Sequence, residues 1–290
     1  MKFQDYMRQI FCTTLLSFVL GCAYAQQPLD TTAYQFVYDV QAKVFEQSKK
    51  LIPDEHVLEL GRNGVSKYYS RWKERNYQVI DSVCRIGGSF DDARRILQAE
   101  GVESFQFCYS VYKNYPHAGQ QTVDYVSMEL FQYQESMGQE WNLIEGDTII
   151  LDHPCQKATC HYHSRTWTAY YATDIPISEG PWKLCGLPGL ILKAYDSDGA
   201  FVFNCIGIQQ GTGTPMTMRE TTRRKMKPEQ AHKVIELIDS NPDAYLESHG
   251  QKVQTFDEKG RLSKMPKLPK RAYYESYSAH TPAMSADPEL

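Results

Sequence analysis

No apolar run in the 290-residue sequence reaches the length of about 18 residues that a membrane-spanning helix requires, which excludes a polytopic helical membrane protein. A basic excess is missing as well. The 31 Lys and Arg face 35 Asp and Glu for a net charge of -4, so the electrostatic footprint of a nucleic-acid-binding domain is absent. With 42% hydrophobic and 23% charged residues the composition is that of a globular chain, neither collagen-like nor mainly disordered. There is no G-x-S-x-G, no H-E-x-x-H, no P-loop and no internal repeat, so the common hydrolase and nucleotide signatures do not arise. What is abundant is tyrosine, at 20 residues, which favours half-exposed sheet surfaces over helix bundles.

The first 25 residues read as a segment that is removed. Lys2 and Arg8 precede an apolar stretch from Ile10 to Leu20, and Ala23 and Ala25 then form an A-x-A arrangement before Gln26. This is the pattern of a secretory signal peptide cleaved after Ala25. The rival reading takes Leu20-Gly21-Cys22 as a lipoprotein box that would anchor the protein through Cys22. Either route leads out of the cytoplasm, to a periplasm or outer envelope. Cleavage leaves six cysteines, Cys84, Cys108, Cys155, Cys160, Cys185 and Cys205, and an even number in an oxidising compartment leads one to expect disulfides. Free buried thiols are the alternative.

Beyond the leader the sequence predicts mainly β structure. Tyr34, Phe36, Tyr38 and Val40 alternate with more polar residues, the pattern of a half-buried strand. Further strand patterns fall at 56–60, 105–111, 126–130, 148–151, 160–171, 190–195 and 200–208. The last two flank Asp196-Ser197-Asp198-Gly199, whose Asp-Gly step is a hairpin signal, and a calcium-loop reading lacks the remaining ligand positions. Helices are expected at 66–75, at 91–100 ending on Gly101, and from Pro228 to the stop at Asn241-Pro242. Strands and helices do not alternate, so the expected fold is α+β but mainly β: a curved antiparallel sheet or partly open barrel with a few packing helices. Residues 26–250 are read as a single domain and 251–290 as a loosely ordered tail, whose basic start at 259–271 reads as solvated charge.

The residues from 155 to 191 carry a recognisable order: Cys155-Gln156-Lys157-Ala158-Thr159, Arg165-x-Trp167, Ile175-Pro176-Ile177, Gly180-Pro181-Trp182-Lys183, and then Gly186-Leu187-Pro188-Gly189-Leu190-Ile191. This run resembles the GLPGLI family, also called Porph_ging, which is named for the hexapeptide. The end of the chain, Asp287-Pro288-Glu289-Leu290, also resembles the family's. Ser164 stands where the family commonly has Gly before its Arg, and the extra Cys160, Cys185 and Cys205 depart from its pattern. The resemblance implies a secreted or envelope bacterial protein of unassigned function and supplies no catalytic residue. Physically the hexapeptide reads as a turn, with two permissive glycines and a φ-fixing proline, launching a buried strand at Leu190 and Ile191. The competing reading is a ligand loop lined by Trp182.

Two sets of residues suggest chemistry. Read as one continuous strand, 160–171 places His161, His163, Arg165, Trp167 and Tyr171 on a single face. Arg165 with Trp167 and Tyr171, and with Trp182 nearby, then forms a candidate binding surface, the guanidinium for a carboxylate or phosphate and the rings for apolar parts. A structural aromatic ladder is the alternative. Two histidines two apart also suit a transition metal such as zinc or copper, against a reading as surface histidines. The function this sequence supports is therefore a non-enzymatic envelope protein with no cofactor, binding a small ligand, a peptide or an outer-membrane partner on a sheet face. A metal-binding protein using His161 and His163 is the alternative, and an unrecognised hydrolase ranks last.

Overall fold

Strand β1 (Gln27–Ala42) lies near the middle of a 13-stranded sheet, because Phe36, Tyr38, Val40 and Ala42 are buried on one face and Val37 on the other. The computed structural model describes residues 27–43, 49–101, 109–126, 129–211, 213–219, 221–250, 255–256 and 262–263. The leader with its cleavage site after Ala25, the alternative anchor Cys22, Cys108, the strand positions Phe105, Phe107 and Met128, and nearly all of the tail at 251–290 lie outside the described residues.

The strands that follow are β2 (Ile52–Gly61), β3 (Ser66–Ser70), β4 (Tyr109–Lys113), β5 (Gln120–Val126), β6 (Leu130–Ser136), β7 (Asn142–Ile150), β8 (His153–Tyr162), β9 (Arg165–Ala172), β10 (Ile191–Asp196), β11 (Phe201–Gln210), β12 (Pro215–Met218) and β13 (Arg224–Lys225). Their order is β13-β6-β5-β4-β3-β2-β1-β11-β10-β9-β8-β7, with β12 on the first part of β1, and the pairings are antiparallel except β13 with β6. A separate pair, β14 (Thr255–Phe256) and β15 (Leu262–Ser263), stands apart from this sheet.

The connection from β6 to β7 shows how strongly the sheet curls. Residues 137–141 join strands that are ten places apart in the order. Six Cα steps span at most about 22 Å, whereas ten strand spacings in a flat sheet cover about 48 Å. The two ends must therefore approach each other, and a hydrogen bond from the Gln121 amide on β5 to the Tyr162 hydroxyl on β8, at 3.3 Å, spans the interior. The expected curved, mainly β architecture is the one observed.

One helical expectation changes. Residues 66–70 are strand, not helix: all five are buried, and Tyr68 and Tyr69 face opposite sides of the sheet. Ser70 then caps α1 (Arg71–Arg85), accepting from the Lys73 backbone N–H at 3.3 Å. The expected helix near 91–100 is α2 (Phe90–Ala99), opened by a Ser89–Asp92 capping box. It packs Ala93 and Leu97 against Val79, Ile80 and Val83 of α1. Helix α3 (Pro228–Ser240) lays Ala231 and Ile235 on the inner core and ends at Asn241 as read. Asn241 then caps a further short helix, α4 (Pro242–Ser248), with the proline at its first position. The alternation at 126–130 belongs to two strands, Val126 ending β5 opposite Leu130 beginning β6.

Candidate functional site

Residues 160–171 are a hairpin, not one strand. Strand β8 ends at Tyr162, His163 (φ 49°) and Ser164 (φ 62°) make the turn, and β9 starts at Arg165. Two successive positive φ values are the mark of a type I′ turn. Opposite partners are Tyr162 and Arg165, His161 and Thr166, and Cys160 and Trp167. Residues directly opposite share a face, so Arg165, Trp167 and Tyr171 do form one row, but with Cys160 and Tyr162. His161 is exposed on the other side, and His163 turns inward against Tyr162 and Trp182, with ring centroids 4.0 and 6.0 Å away. The shared histidine face expected for a metal is thus replaced by two histidines on opposite sides. Among the described residues no three His, Cys, Asp or Glu side chains are grouped to hold a metal ion.

The aromatic row lines the core instead of a surface. Trp167, Tyr171 and Trp182 are buried at 0, 2 and 1% exposure, and Trp182 lies 5.4 Å from Trp167, which stacks at 5.9 Å on Phe203. The Trp167 indole donates to the Tyr162 carbonyl and the Tyr171 hydroxyl to the Gln156 side-chain oxygen. Arg165 is committed to its own neighbours. Its guanidinium is 2.5 Å from Asp196, the first residue of the Asp-Gly turn, and lies over the Phe201 ring. The fork expected to receive a ligand carboxylate therefore holds a buried protein carboxylate.

The reason for this burial is the segment at 173–190, which folds into the concave side of the sheet and ends where β10 begins. Trp182, Leu184, Leu187 and Leu190 fill the interior. Buried polar groups fasten it from several strands. The Lys113 ammonium reaches the Glu179 carboxylate at 2.8 Å and the Gly180 and Leu184 carbonyls at 2.7 and 3.1 Å. The Tyr38 hydroxyl donates to the Ile191 carbonyl, and the Trp141 indole to that of Cys185. Gln139 accepts from the Cys185 N–H and donates to the Lys183 carbonyl. Lys183 itself is 2.5 Å from Glu135 on β6, donates to the Tyr133 hydroxyl and lies over the Trp182 ring. His163 joins this group, 3.8 Å from the second Glu135 oxygen. Sequence reading missed Lys113, Glu135, Gln139 and Trp141 because each meets the segment only in the tertiary fold, from β4, from β6 or from the connection at 137–141.

Backbone geometry explains the glycines of the hexapeptide. A Cβ on Gly189 would sit 1.9 Å from the Ala172 carbonyl oxygen, while Gly186 has φ 92° and open space around it. One glycine permits close approach and the other a left-handed turn.

The cysteines do not form the expected disulfides among the described residues, where Cys84, Cys155, Cys160, Cys185 and Cys205 are free thiols. Four of the five are buried among core residues: Cys160 lies opposite Trp167, Cys155 opposite Ala172, and Cys205 opposite Tyr38. Burial pushes the Cys160 thiol up to about 12 and the Cys205 thiol up to about 11, so they act as small apolar side chains.

With the concave side filled, open space lies on the outer face. Every residue of β7 up to Ile149 is exposed, and its far end forms two clefts that share Thr148 and Ile149. One, of about 350 Å³, continues along Pro154, Cys155, Gln156 and Thr173. The other, of about 560 Å³, is floored by Tyr170, Lys193, Tyr195 and Val202, the outward residues of β9, β10 and β11. Lys157 and Lys193 lie directly opposite Tyr170 on its two sides. A bulge between Ile144 and Asp147 carries β7 past Lys157, and there Gly146, at φ 140°, has the Lys157 stem 3.1 Å from where a Cβ would be. No helix among the described residues is long and apolar enough to cross a membrane.

Among solved structures the chain is similar to PNGF-II in its P21 form, with a TM-score of 0.43 and 14% identity over 70% of this chain and 32% of that one. The C2 form matches at the same TM-score and coverage with 13% identity. A DUF1329 family protein from Desulfovibrio piger ATCC 29098 matches with a TM-score of 0.21 and 8% identity over 73% of this chain and 94% of that one. The chain spans about a third of the length of the PNGF-II chains it matches. It matches no curated protein. The family profile that matches covers residues 109–193, from β4 through the hexapeptide into β10, and is that of Porph_ging, proteins of unknown function, the family the hexapeptide and its flanking motifs resemble.

Proposed function

We propose that this chain is an exported, non-enzymatic binding protein of the cell envelope that recognises a small ligand or peptide on the outer face of its sheet, beneath the end of β7. The carrying observation is the pair of clefts that meet at Thr148 and Ile149, one of them floored by two tyrosines and a lysine, on a molecule whose inner face is packed with its own chain. Ligand sites combine apolar surface with a few placed polar groups, and here Ile149, Ile150 and Val202 stand beside Thr148, Tyr170, Tyr195 and Lys193. Export is supported by the leader pattern, with Lys2 and Arg8 before the apolar stretch and Ala23 and Ala25 at the cleavage step. The test is native mass spectrometry of the untagged chain purified from its own envelope fraction, beside Tyr170→Ala. A bound mass present on the wild type and lost from a folded Tyr170→Ala is expected. A wild type without bound mass, or a mass equally retained by the variant, overturns the reading.

A further inference from the structure

The outer cleft has a charge as well as a shape. Resting on the binding reading above, we infer that its ligand is an organic anion with a flat apolar body, its carboxylate, sulfonate or phosphate held by Lys193, with Lys157 as a second cation just beyond the cleft lining on the other side of Tyr170, and its body laid on Tyr170 and Tyr195.

Both lysines project from the outer face in register with Tyr170, one from each neighbouring strand. The Lys193 ammonium lies 5.9 Å from the Tyr195 ring centre and that of Lys157 the same distance from the Tyr170 ring centre. Among the described residues neither has a carboxylate within ion-pair distance, in a chain whose net charge is -4. Several other half-buried or buried cations do hold a carboxylate, among them Lys67, Lys113, Lys183, Arg165, Arg219 and Arg223, while buried Lys73 donates to the Ser110 hydroxyl. The nearest acidic side chain along the same row of the sheet is Asp39, which is separated from Lys193 by Asn204 and receives a hydrogen bond from Gln41. Asp147 borders only the smaller cleft.

Two half-buried lysine side chains with no carboxylate among the described residues within ion-pair distance favour an anion. The rings and Ile149, Ile150 and Val202 supply apolar area for a planar body. Gly146 keeps the arrangement open, because its bulge lets the Lys157 stem pass where a side chain would push it aside.

Two fluorescent probes of similar shape and different charge test this: 1-anilinonaphthalene-8-sulfonate and uncharged N-phenyl-1-naphthylamine. The folded protein should bind the sulfonate saturably. Lys193→Gln should weaken that binding about tenfold, as the loss of one charge-assisted contact does. Lys157→Gln should weaken it to a smaller extent, exposed Lys233→Gln should leave it unchanged, and none of the three should alter binding of the uncharged probe. Sulfonate affinity that is the same in Lys193→Gln and Lys157→Gln as in the wild type overturns the anion assignment. If Val202→Trp still excludes both probes in that case, the cleft remains a binding site for neutral ligands. Failure of both probes to bind the wild type removes the cleft reading itself.

Discussion

Lys113 on β4 places its ammonium 2.8 Å from the Glu179 carboxylate, with both side chains buried, and so ties a strand to a segment 66 residues further along the chain. Two further carbonyl acceptors complete its shell. This contact works beside the apolar packing of Trp182, Leu184, Leu187 and Leu190 to orient the segment that closes the inner face.

Lys113→Met should therefore destabilise the protein strongly, by about 3–5 kcal/mol, since it strands a buried carboxylate and two carbonyls. Urea denaturation gives the value. Adding Glu179→Gln should recover part of the loss by removing the uncompensated charge. A single variant within about 0.5 kcal/mol of wild type would show that the segment is held by packing alone.

The two glycines of the hexapeptide should differ in cost. Gly189→Ala drives a methyl group into the Ala172 carbonyl and has no flexible neighbour to move, so a loss of about 3 kcal/mol or more is expected. Gly186→Ala meets no atom and carries only the left-handed penalty of about 1–2 kcal/mol. Thermal unfolding of the two variants side by side checks the order.

Ser164 occupies the second left-handed position of the turn between β8 and β9. Ser164→Gly should stabilise by about 1 kcal/mol, by relieving the Cβ strain that serine carries there. An unchanged or lowered melting temperature would mean that the Ser164 side chain makes a compensating contact.

Alkaline pH should weaken the fold. Burial raises the Cys160 thiol from 9.0 to about 12 and the Cys205 thiol from 9.0 to about 11, and also raises the Tyr38 and Tyr112 hydroxyls. Above pH 9 the unfolded chain releases the thiol protons while the folded chain retains them. Stability is therefore complete below about pH 9 and falls as pH rises towards 11 and then 12. Urea midpoints measured from pH 8 to 10.5 should show this decline, and it should be shallower in Cys160→Val. At pH 8, alkylation of native Cys160 should run about a thousandfold below that of an ordinary thiol, from the thiolate fraction alone.

Much of the architecture was legible because it depends on local rules. Alternation at Tyr34, Phe36, Tyr38 and Val40 marked β1, the Asp-Gly step marked the β10–β11 turn, and Pro228 and Asn241 bracketed α3. The turn at His163 and Ser164 escaped because neither residue announces positive φ as glycine would. Period-two alternation then continued unbroken through a hairpin. The helix at 66–75 was misplaced for a related reason: Ser66 to Ser70 is a short strand buried on both faces, which shows no amphipathic alternation.

The site was less legible. By itself the sequence determined the sheet-rich class and the hexapeptide with its flanking motifs, since composition, spacing and residue type suffice for these. Only the tertiary structure decided which face each row would present. The curl of the sheet, with 173–190 packed inside it, turned Trp167, Tyr171 and Trp182 into core and placed the outward Tyr170 and Lys193 beneath β7. That outcome rests on contacts such as Lys113 with Glu179 and Glu135 with Lys183. Their partners are far apart in the chain, and no local pattern encodes which of them will meet.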